Sequence, residues 1–276
     1  FIDMDKTVKR IANEIENKNP IGIFGDYDVD GATSAALLKL FLQYFGIEVH
    51  IHIPDRFLEG YGPNISALNS LVSKGSNLII TVDCGINSHE PLKELNKTDI
   101  DCIIIDHHTP DDDLPPAFSI VNPKRKENGI EYHYLSAVGV TFIMIVGLTR
   151  ELRQRGVFEK IKEPNLFRFL DLVALGTVCD VVPLKGLNRC FVKAGLNIIS
   201  QRKNLGINAL CDISDLNKIP DEETLGYKLG PKINAAGRIG SSDIGVSLLI
   251  SKDVNKANEL ASKLYHLNEK RKKLTN

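Results

Sequence analysis

What this chain lacks narrows it first. Its five cysteines (Cys84, Cys102, Cys179, Cys190 and Cys211) are odd in number and never stand as C-x-x-C, which excludes a disulfide framework and a structural zinc site and predicts reduced thiols. Long apolar runs are also missing: the longest mostly apolar stretch, Ala137 to Leu148, is too short to span a bilayer, and nothing near Phe1 resembles a signal peptide. A cytoplasmic protein without membrane association is expected. There is no excess of positive charge either; the formal net charge of −1 gives no global electrostatic sign of a nucleic-acid partner. Short basic runs at Lys124-Arg125-Lys126 and Lys270-Arg271-Lys272-Lys273 read as solvated faces or helix ends, with a local nucleic-acid patch as the alternative. No low-complexity segment or internal repeat is present.

With 43% hydrophobic and 25% charged residues, the chain has the profile of a soluble globular protein able to bury a sizeable core. In its first half, apolar segments alternate with helical patterns. Ile21–Phe24, Leu78–Val82 and Cys102–Ile105 are continuous apolar runs, the signature of parallel strands covered on both faces. Glu48–Ile53 alternates as a strand with one polar face, where His50 and His52 read as polar surface positions rather than ligands, and Ser119–Val121 is a further short strand. Helices are predicted over Met4–Asn17, Ala32–Phe45, Ile65–Ser73 and Pro91–Asn96, and then over Leu135–Arg155, Asn165–Thr177, Arg189–Gln201 and from Asp253 to the end. The expected fold is therefore α/β: a mostly parallel sheet flanked by helices (1–134), a mainly helical portion (135–252) and a long connecting helix (253–276).

The most unusual stretch is Gly25-Asp26-Tyr27-Asp28-Val29-Asp30-Gly31, which sets carboxylates at every second residue directly after a strand. Carboxylates crowded this closely repel one another and are hard to desolvate, so keeping them ionised calls for a cation. An EF-hand is excluded because its twelfth position, a bidentate Glu in that motif, is Leu37 here, and the entering segment reads as a strand. The other reading is a turn that caps the next helix, a role assigned to Asp30. On this stretch alone both remain open.

Position decides between them. Asp26, Asp83 and Asp106-His107-His108 each follow a predicted strand, and in an open parallel sheet such positions gather along one edge, where ligands bind. Oxygen ligands with one or two imidazoles suit Mn²⁺ or Mg²⁺. Asp180, in Gly176-Thr177-Val178-Cys179-Asp180, follows an apolar helix and needs either a metal or a capping role. Gly230-Pro231-Lys232-Ile233-Asn234-Ala235-Ala236-Gly237-Arg238-Ile239-Gly240 reads as a glycine-rich loop whose backbone and Arg238 could approach an anion, or as a plain turn.

Taken in order, these motifs resemble the DHH phosphoesterase family, named for the triplet present as Asp106-His107-His108, and most closely its single-strand-specific exonucleases. The resemblance covers nearly the whole chain. It implies a hydrolase with two divalent ions, Mn²⁺ or Mg²⁺, held by Asp26, Asp28, Asp83, His107 and Asp180, with Asp83 as the bridge. It implies catalytic roles for Asp83, His107, His108 and Arg238, and contact with the substrate phosphate by His108, Lys232, Asn234 and Arg238. One departure stands out: where some relatives have a metal-binding histidine before the Gly-Asp pair, this chain has Phe24.

The implied reaction is metal-dependent 5′-to-3′ hydrolysis of single-stranded DNA to 5′-mononucleotides in repair and recombination, with a single-strand-binding protein or a helicase as protein partner. A phosphodiesterase of short RNA or cyclic dinucleotides is the runner-up, and a non-catalytic DNA-binding relative the alternative from another class. The helix from Asp253, with its stripe Ala257, Leu260, Leu264, Leu267 and Leu274, is expected to lead to a domain outside this chain, or to be an ordinary packed helix.

Overall fold

A computed structural model describes residues 1–216, 220–239 and 241–275. The first half runs α1 (Met4–Asn17), β1 (Ile21–Gly25), α2 (Val29–Tyr44), β2 (Val49–His52), α3 (Ile65–Ser73), β3 (Leu78–Val82), α4 (His89–Leu95), β4 (Asp101–Ile105) and β5 (Ser119–Val121). All five strands are parallel, in the order β2-β1-β3-β4-β5. Every residue of β1 and β3 is buried, as their unbroken apolar sequences require, whereas β2 lies at an edge and leaves His50, Ile51 and His52 half-buried. Alternate residues serve opposite faces. Ile23, Ile80, Val82 and Ile103 join the larger core with α1 and α2, while Phe24, Ile79, Cys102 and Ile104 join a smaller one with α3 and α4.

The second half is helical: α5 (Ala137–Gln154), α6 (Leu170–Cys179), α7 (Gly186–Ser200), α8 (Leu205–Ile213), α9 (Gly230–Ile239), α10 (Asp243–Leu249) and α11 (Val254–Thr275). Ser136 caps α5 through the Gly139 amide. The apolar α6 is buried almost throughout and packs between α2, α5 and α7. In α11, Ala257, Leu260, Ala261 and Leu264 are buried against α8, α9 and α10, so its first turns are an ordinary packed helix, while Leu274 is 69% exposed.

The α/β architecture expected from the sequence is what forms, with several differences. Helix α2 starts at Val29, two or three residues early. The segment expected as one helix from Asn165 divides into a 3₁₀ turn (Leu166–Phe169) and α6, and α8 and α10 were not anticipated. The glycine-rich run from Gly230 is no loop: through Ile239 it is α9, entered by a π-helical segment, Thr224–Leu229; Gly240 lies outside the described residues. Leu225, Leu229, Ile233 and Ala236 recur at helical spacing and are all buried, and this packing overrides the poor helix propensity of Gly and Pro. No helix among the described residues is long and apolar enough to cross a membrane.

Helices α6 and α7 come close at Gly195 of α7, where an added Cβ would overlap the Leu170 carbonyl oxygen and Ala174 Cβ of α6. Both neighbours are fixed by helix backbone, so the strain cannot be relieved by a rotamer change. Gly195→Ala is expected to destabilise the fold by about 2 kcal/mol, within the usual cost of overpacking. Urea unfolding checks this as a lowered midpoint at unchanged slope.

Candidate metal centre

The strand register builds the site. Gly25 pairs with Val82 and Val82 with Ile105, so the next residues, Asp26, Asp83 and Asp106, leave the sheet at one level. Their amides continue the ladder: Asp26 N donates to Val82 O, Asp83 N to Ile105 O and Asp106 N to Val121 O, at 3.3, 2.9 and 3.1 Å. In the order β2-β1-β3, chain direction across the sheet reverses between β1 and β3, the crevice where open α/β sheets bind ligands. Asp26 and Asp83 flank it.

Each acid then takes a different environment. Asp26 Oδ1 accepts from the Tyr27 amide at 2.8 Å, and Asp28 Oδ1 caps α2 by accepting from Gly31 N at 3.0 Å. Gly31 is required there, since a Cβ would lie 2.7 Å from the Asp26 amide nitrogen. Asp106 is supplied with four donors: Ile86 N at 3.1 Å, His107 N at 2.7 Å, His108 N at 3.1 Å and His108 Nδ1 at 2.8 Å. Burial works to raise its carboxyl, but the His108 contacts prevail and hold it below its ordinary value.

Asp83 has no such supply. It is 1% exposed, adopts a left-handed backbone at φ 62°, and neither carboxylate oxygen has a hydrogen-bond partner among the described residues. Burial, followed by the charges of Asp28 and Asp30, pushes its carboxyl far above the carboxylate range. Burial and then Asp28 likewise raise Asp26 and Asp180 to about 7.

His107 completes the case. Its Nδ1 lies 3.0 Å from the Leu135 carbonyl, which can only accept, so Nδ1 carries the proton and Nε2 presents a lone pair. Burial, then the nearby His108, lowers the imidazole to about 4, which keeps it neutral. That lone pair faces Asp83 Oδ1 at 3.3 Å, Asp180 Oδ2 at 3.6 Å and Asp30 Oδ2 at 3.9 Å, and among the described residues Nε2, Asp180 Oδ2 and the Asp83 carboxylate have no hydrogen-bond partner. Acceptors turned on one another in a buried space fit a cation. Ligand atoms of Asp26, Asp28 and Asp83 lie within 4.8 Å of one another, as do those of Asp30, His107 and Asp180, and those of Asp83, His107 and His108. The residues therefore fit a pair of divalent ions, with Asp83 a member of two of these three groups and His107 of two.

Two assignments change. Asp28, expected only as a ligand, is also the cap of α2, because that helix begins at Val29. Asp30, expected as the cap, is fully buried and instead accepts from Ala137 N at 2.7 Å and Val138 N at 2.9 Å at the start of α5, with the Oδ2 that takes the Ala137 amide also 3.9 Å from His107 Nε2. Nothing local in the sequence signals a contact across 107 residues.

Helix α9 meets the first motif through Asn234, whose Oδ1 accepts from Val29 N at 3.1 Å, and through Gly237, where a Cβ would sit 3.0 Å from the Tyr27 carbonyl oxygen. Arg238 follows and is exposed on that side. Lys232 does not reach the cluster. It is buried on the other side of α9, donates to Lys228 O at 2.8 Å and lies 5.9 Å from the Tyr265 ring of α11, because residues two apart on a helix point in nearly opposite directions. His52 binds Glu59 at 2.7 Å and His50 lies 3.8 Å from Glu48, so neither belongs to a ligand group. Tyr61 was missed: its hydroxyl donates to Asp83 O at 3.4 Å, and its ring stands edge-on to His108 at 6.0 Å. The flanking Gly60 and Gly62, both with positive φ, were its available signal.

Comparison with known proteins agrees with this geometry. The chain is 39% identical over 274 residues to the single-stranded-DNA-specific exonuclease RecJ of Haemophilus influenzae, covering 98% of this chain and 48% of that protein. It is 38% identical over 277 residues to RecJ of Escherichia coli strain K12, with the same coverages. It thus spans about half the length of these curated relatives. A crystal structure of exonuclease RecJ bound to manganese superposes with a TM-score of 0.84 at 32% identity, covering 97% of this chain and 66% of that one. The model of the DHH family N-terminal domain matches residues 20–177, and with the Asp-His-His triplet at the end of β4 the chain belongs to the DHH family.

Proposed function

We propose that this chain carries the catalytic site of a metal-dependent exonuclease that hydrolyses single-stranded DNA from its 5′ end to 5′-mononucleotides. The observation that carries the reading is the buried Nε2 lone pair of His107 facing Asp83 and Asp180, whose nearest oxygens have no hydrogen-bond partner among the described residues. Identity to proteins named single-stranded-DNA-specific exonuclease, and superposition on one bound to manganese, supply the substrate and the metal. The reading extends to a cytoplasmic role in DNA repair and recombination, with a single-strand-binding protein or a helicase as partner.

On this reading Asp26, Asp28 and Asp83 hold one Mn²⁺ or Mg²⁺, and His107 and Asp180, joined by Asp83 and with Asp30 alongside, hold the other. When bound, such a pair supplies an activated water and neutralises charge developing on the phosphate. The remaining work falls to side chains. Asp106 accepts from His108 Nδ1 and raises that imidazole above its ordinary value, turning a protonated Nε2 outward as a donor to a phosphate oxygen. Arg238, exposed beside Tyr27, offers the planar fork that grips a phosphate through two hydrogen bonds. Asn234 acts one step back, holding α9 to the start of α2.

Asp83→Ala separates function from stability. With a divalent ion bound to the wild type at a hundred times its dissociation constant, linkage stabilises the fold by about 2.7 kcal/mol. Asp83→Ala is expected to lose detectable nuclease activity and most of the Mn²⁺-dependent rise in Tm, yet to melt higher than wild type in chelator because a buried unpartnered carboxylate is gone. Differential scanning calorimetry with and without Mn²⁺ checks this, and a variant that still cleaves DNA would contradict the assignment.

The substrate reading is tested with single-stranded oligonucleotides labelled at either end, Mn²⁺ or Mg²⁺, a chelator control and a dinucleotide as competing substrate. Labelled mononucleotide released first from the 5′-labelled strand is expected, with none in chelator. Preferential cleavage of the dinucleotide would replace this reading with a short-oligonucleotide phosphodiesterase.

A further inference from the structure

The loop between β2 and α3 belongs to no ligand group, yet two of its side chains reach the acid cluster. The Arg56 guanidinium lies 5.4 Å from the ring of Tyr27, between Asp26 and Asp28, and Tyr61 touches the Asp83 carbonyl and His108. Apolar burial does not hold the tip of this loop down: Phe57 and Leu58 are 74% and 87% exposed. Asp55 Oδ1 orders the tip internally, accepting from Phe57 N at 2.8 Å and Leu58 N at 3.1 Å, and Glu59 ties the loop to the strand. Glu59 Oε1 accepts from the Asp55 amide at 2.9 Å, and Oε2 accepts from Asn64 Nδ2 at 3.1 Å and lies 2.7 Å from His52 Nε2. His52 is itself seated by Phe24, whose ring stacks on the imidazole at 5.4 Å and 24°. Just beyond Glu59, Gly60 and Gly62 at φ 82° and 77° turn the chain so that Tyr61 comes back over the sheet edge.

We infer that Glu59 is a positioning residue for the hydrolysis proposed above, locking the loop onto His52 so that Tyr61 lies against His108 and the Asp83 carbonyl. The inference rests on that functional reading for its effect on rate, but not for its effect on the loop. Without Glu59, the Asp55 amide, Asn64 Nδ2 and His52 lose their shared acceptor while nothing in the two cores changes. Asn64 still caps α3 through Ala67 N at 2.8 Å, so the helix does not depend on the clamp. A released loop leaves Tyr61 free to swing from His108, and displacements of about 1 Å at a reacting group cost up to a hundredfold in rate.

Two measurements test this. Because the chain has no tryptophan, Tyr61→Trp introduces a single tryptophan at the clamped position, excited at wavelengths where the tyrosines do not absorb. Adding Glu59→Ala to that variant is expected to raise acrylamide quenching and lower fluorescence anisotropy, while the Mn²⁺-dependent rise in Tm is retained. Equal quenching and anisotropy with and without Glu59 would overturn the clamp.

In the second, Glu59→Ala in the wild-type background is expected to lower kcat/KM on single-stranded DNA at least about tenfold, with Glu59→Gln recovering part of the loss because it keeps chain length and one acceptor. The double variant with Tyr61→Ala is expected to be no slower than Tyr61→Ala alone, since both remove the same contact. Losses that multiply, or a Glu59→Ala enzyme as fast as wild type, would reject the positioning role. If the unmodified protein cleaves no DNA, the functional reading fails, and the fluorescence pair still decides the clamp.

Discussion

The structure depends on one electrostatic problem: Asp26, Asp28, Asp30, Asp83, Asp106 and Asp180 converge on a space that is mostly shut off from water. The fold solves part of it with its own donors. Asp106 receives two backbone amides from its own triplet, a third from Ile86 and the His108 imidazole, and Asp30 receives the first amides of α5, where the helix dipole also favours negative charge. Asp26 and Asp28 each receive one amide. Among the described residues, the Asp83 carboxylate, Asp180 Oδ2 and His107 Nε2 receive no hydrogen bond. This unequal supply separates the acids that the protein itself satisfies from acceptors left without a donor, and Asp106, though first in the triplet, supports the histidines and joins no ligand group among the described residues.

That division needs a rigid platform. The strand ends stay level because β1, β3 and β4 are locked in register and covered on both faces, by α1, α2 and α5 on one side and by α3 and α4 on the other. A slip of one residue would send Asp83 to a different height and reverse every side chain of β3 between the two cores. Both cores are closely filled, so the misregistered alternatives are strongly disfavoured, and the strain of Asp83 at φ 62° is carried by its surroundings.

How much of this could be read from the sequence depends on the range of each interaction. Strand-then-Asp is a local pattern, so Asp26, Asp83, His107 and the edge on which they meet were legible, as was the parallel sheet. The exchange of roles between Asp28 and Asp30 was not, because the partner of Asp30 is the start of a helix more than a hundred residues away. Helix α9 was hidden for a related reason: Gly230 and Gly237 look like loop residues, but they are where the helix passes close to Cys179 and to the Tyr27 backbone. Once that run is helical, Asn234 and Lys232 must point apart, which removes Lys232 from the cluster. For Tyr61 the flanking Gly60 and Gly62 mark a turn, but only the fold of the loop shows that the turn returns the ring to His108.

The same crowding also orders the binding events. A phosphodiester is an anion, and the basic groups near the cluster, Arg56, His108, Lys124 and Arg238, are outnumbered by its six carboxylates. A DNA backbone approaching the site without divalent ions therefore meets net repulsion in a low-dielectric crevice, whereas with ions in place the sign of the field reverses. On the function proposed above, metal and strand would be coupled ligands: each would bind more tightly in the presence of the other, by the same factor in both directions. Such coupling needs no conformational change. It would follow from leaving the Asp83 carboxylate and Asp180 Oδ2 without donors, and it would let a chain of net charge −1 act on a polyanion without a broadly basic surface.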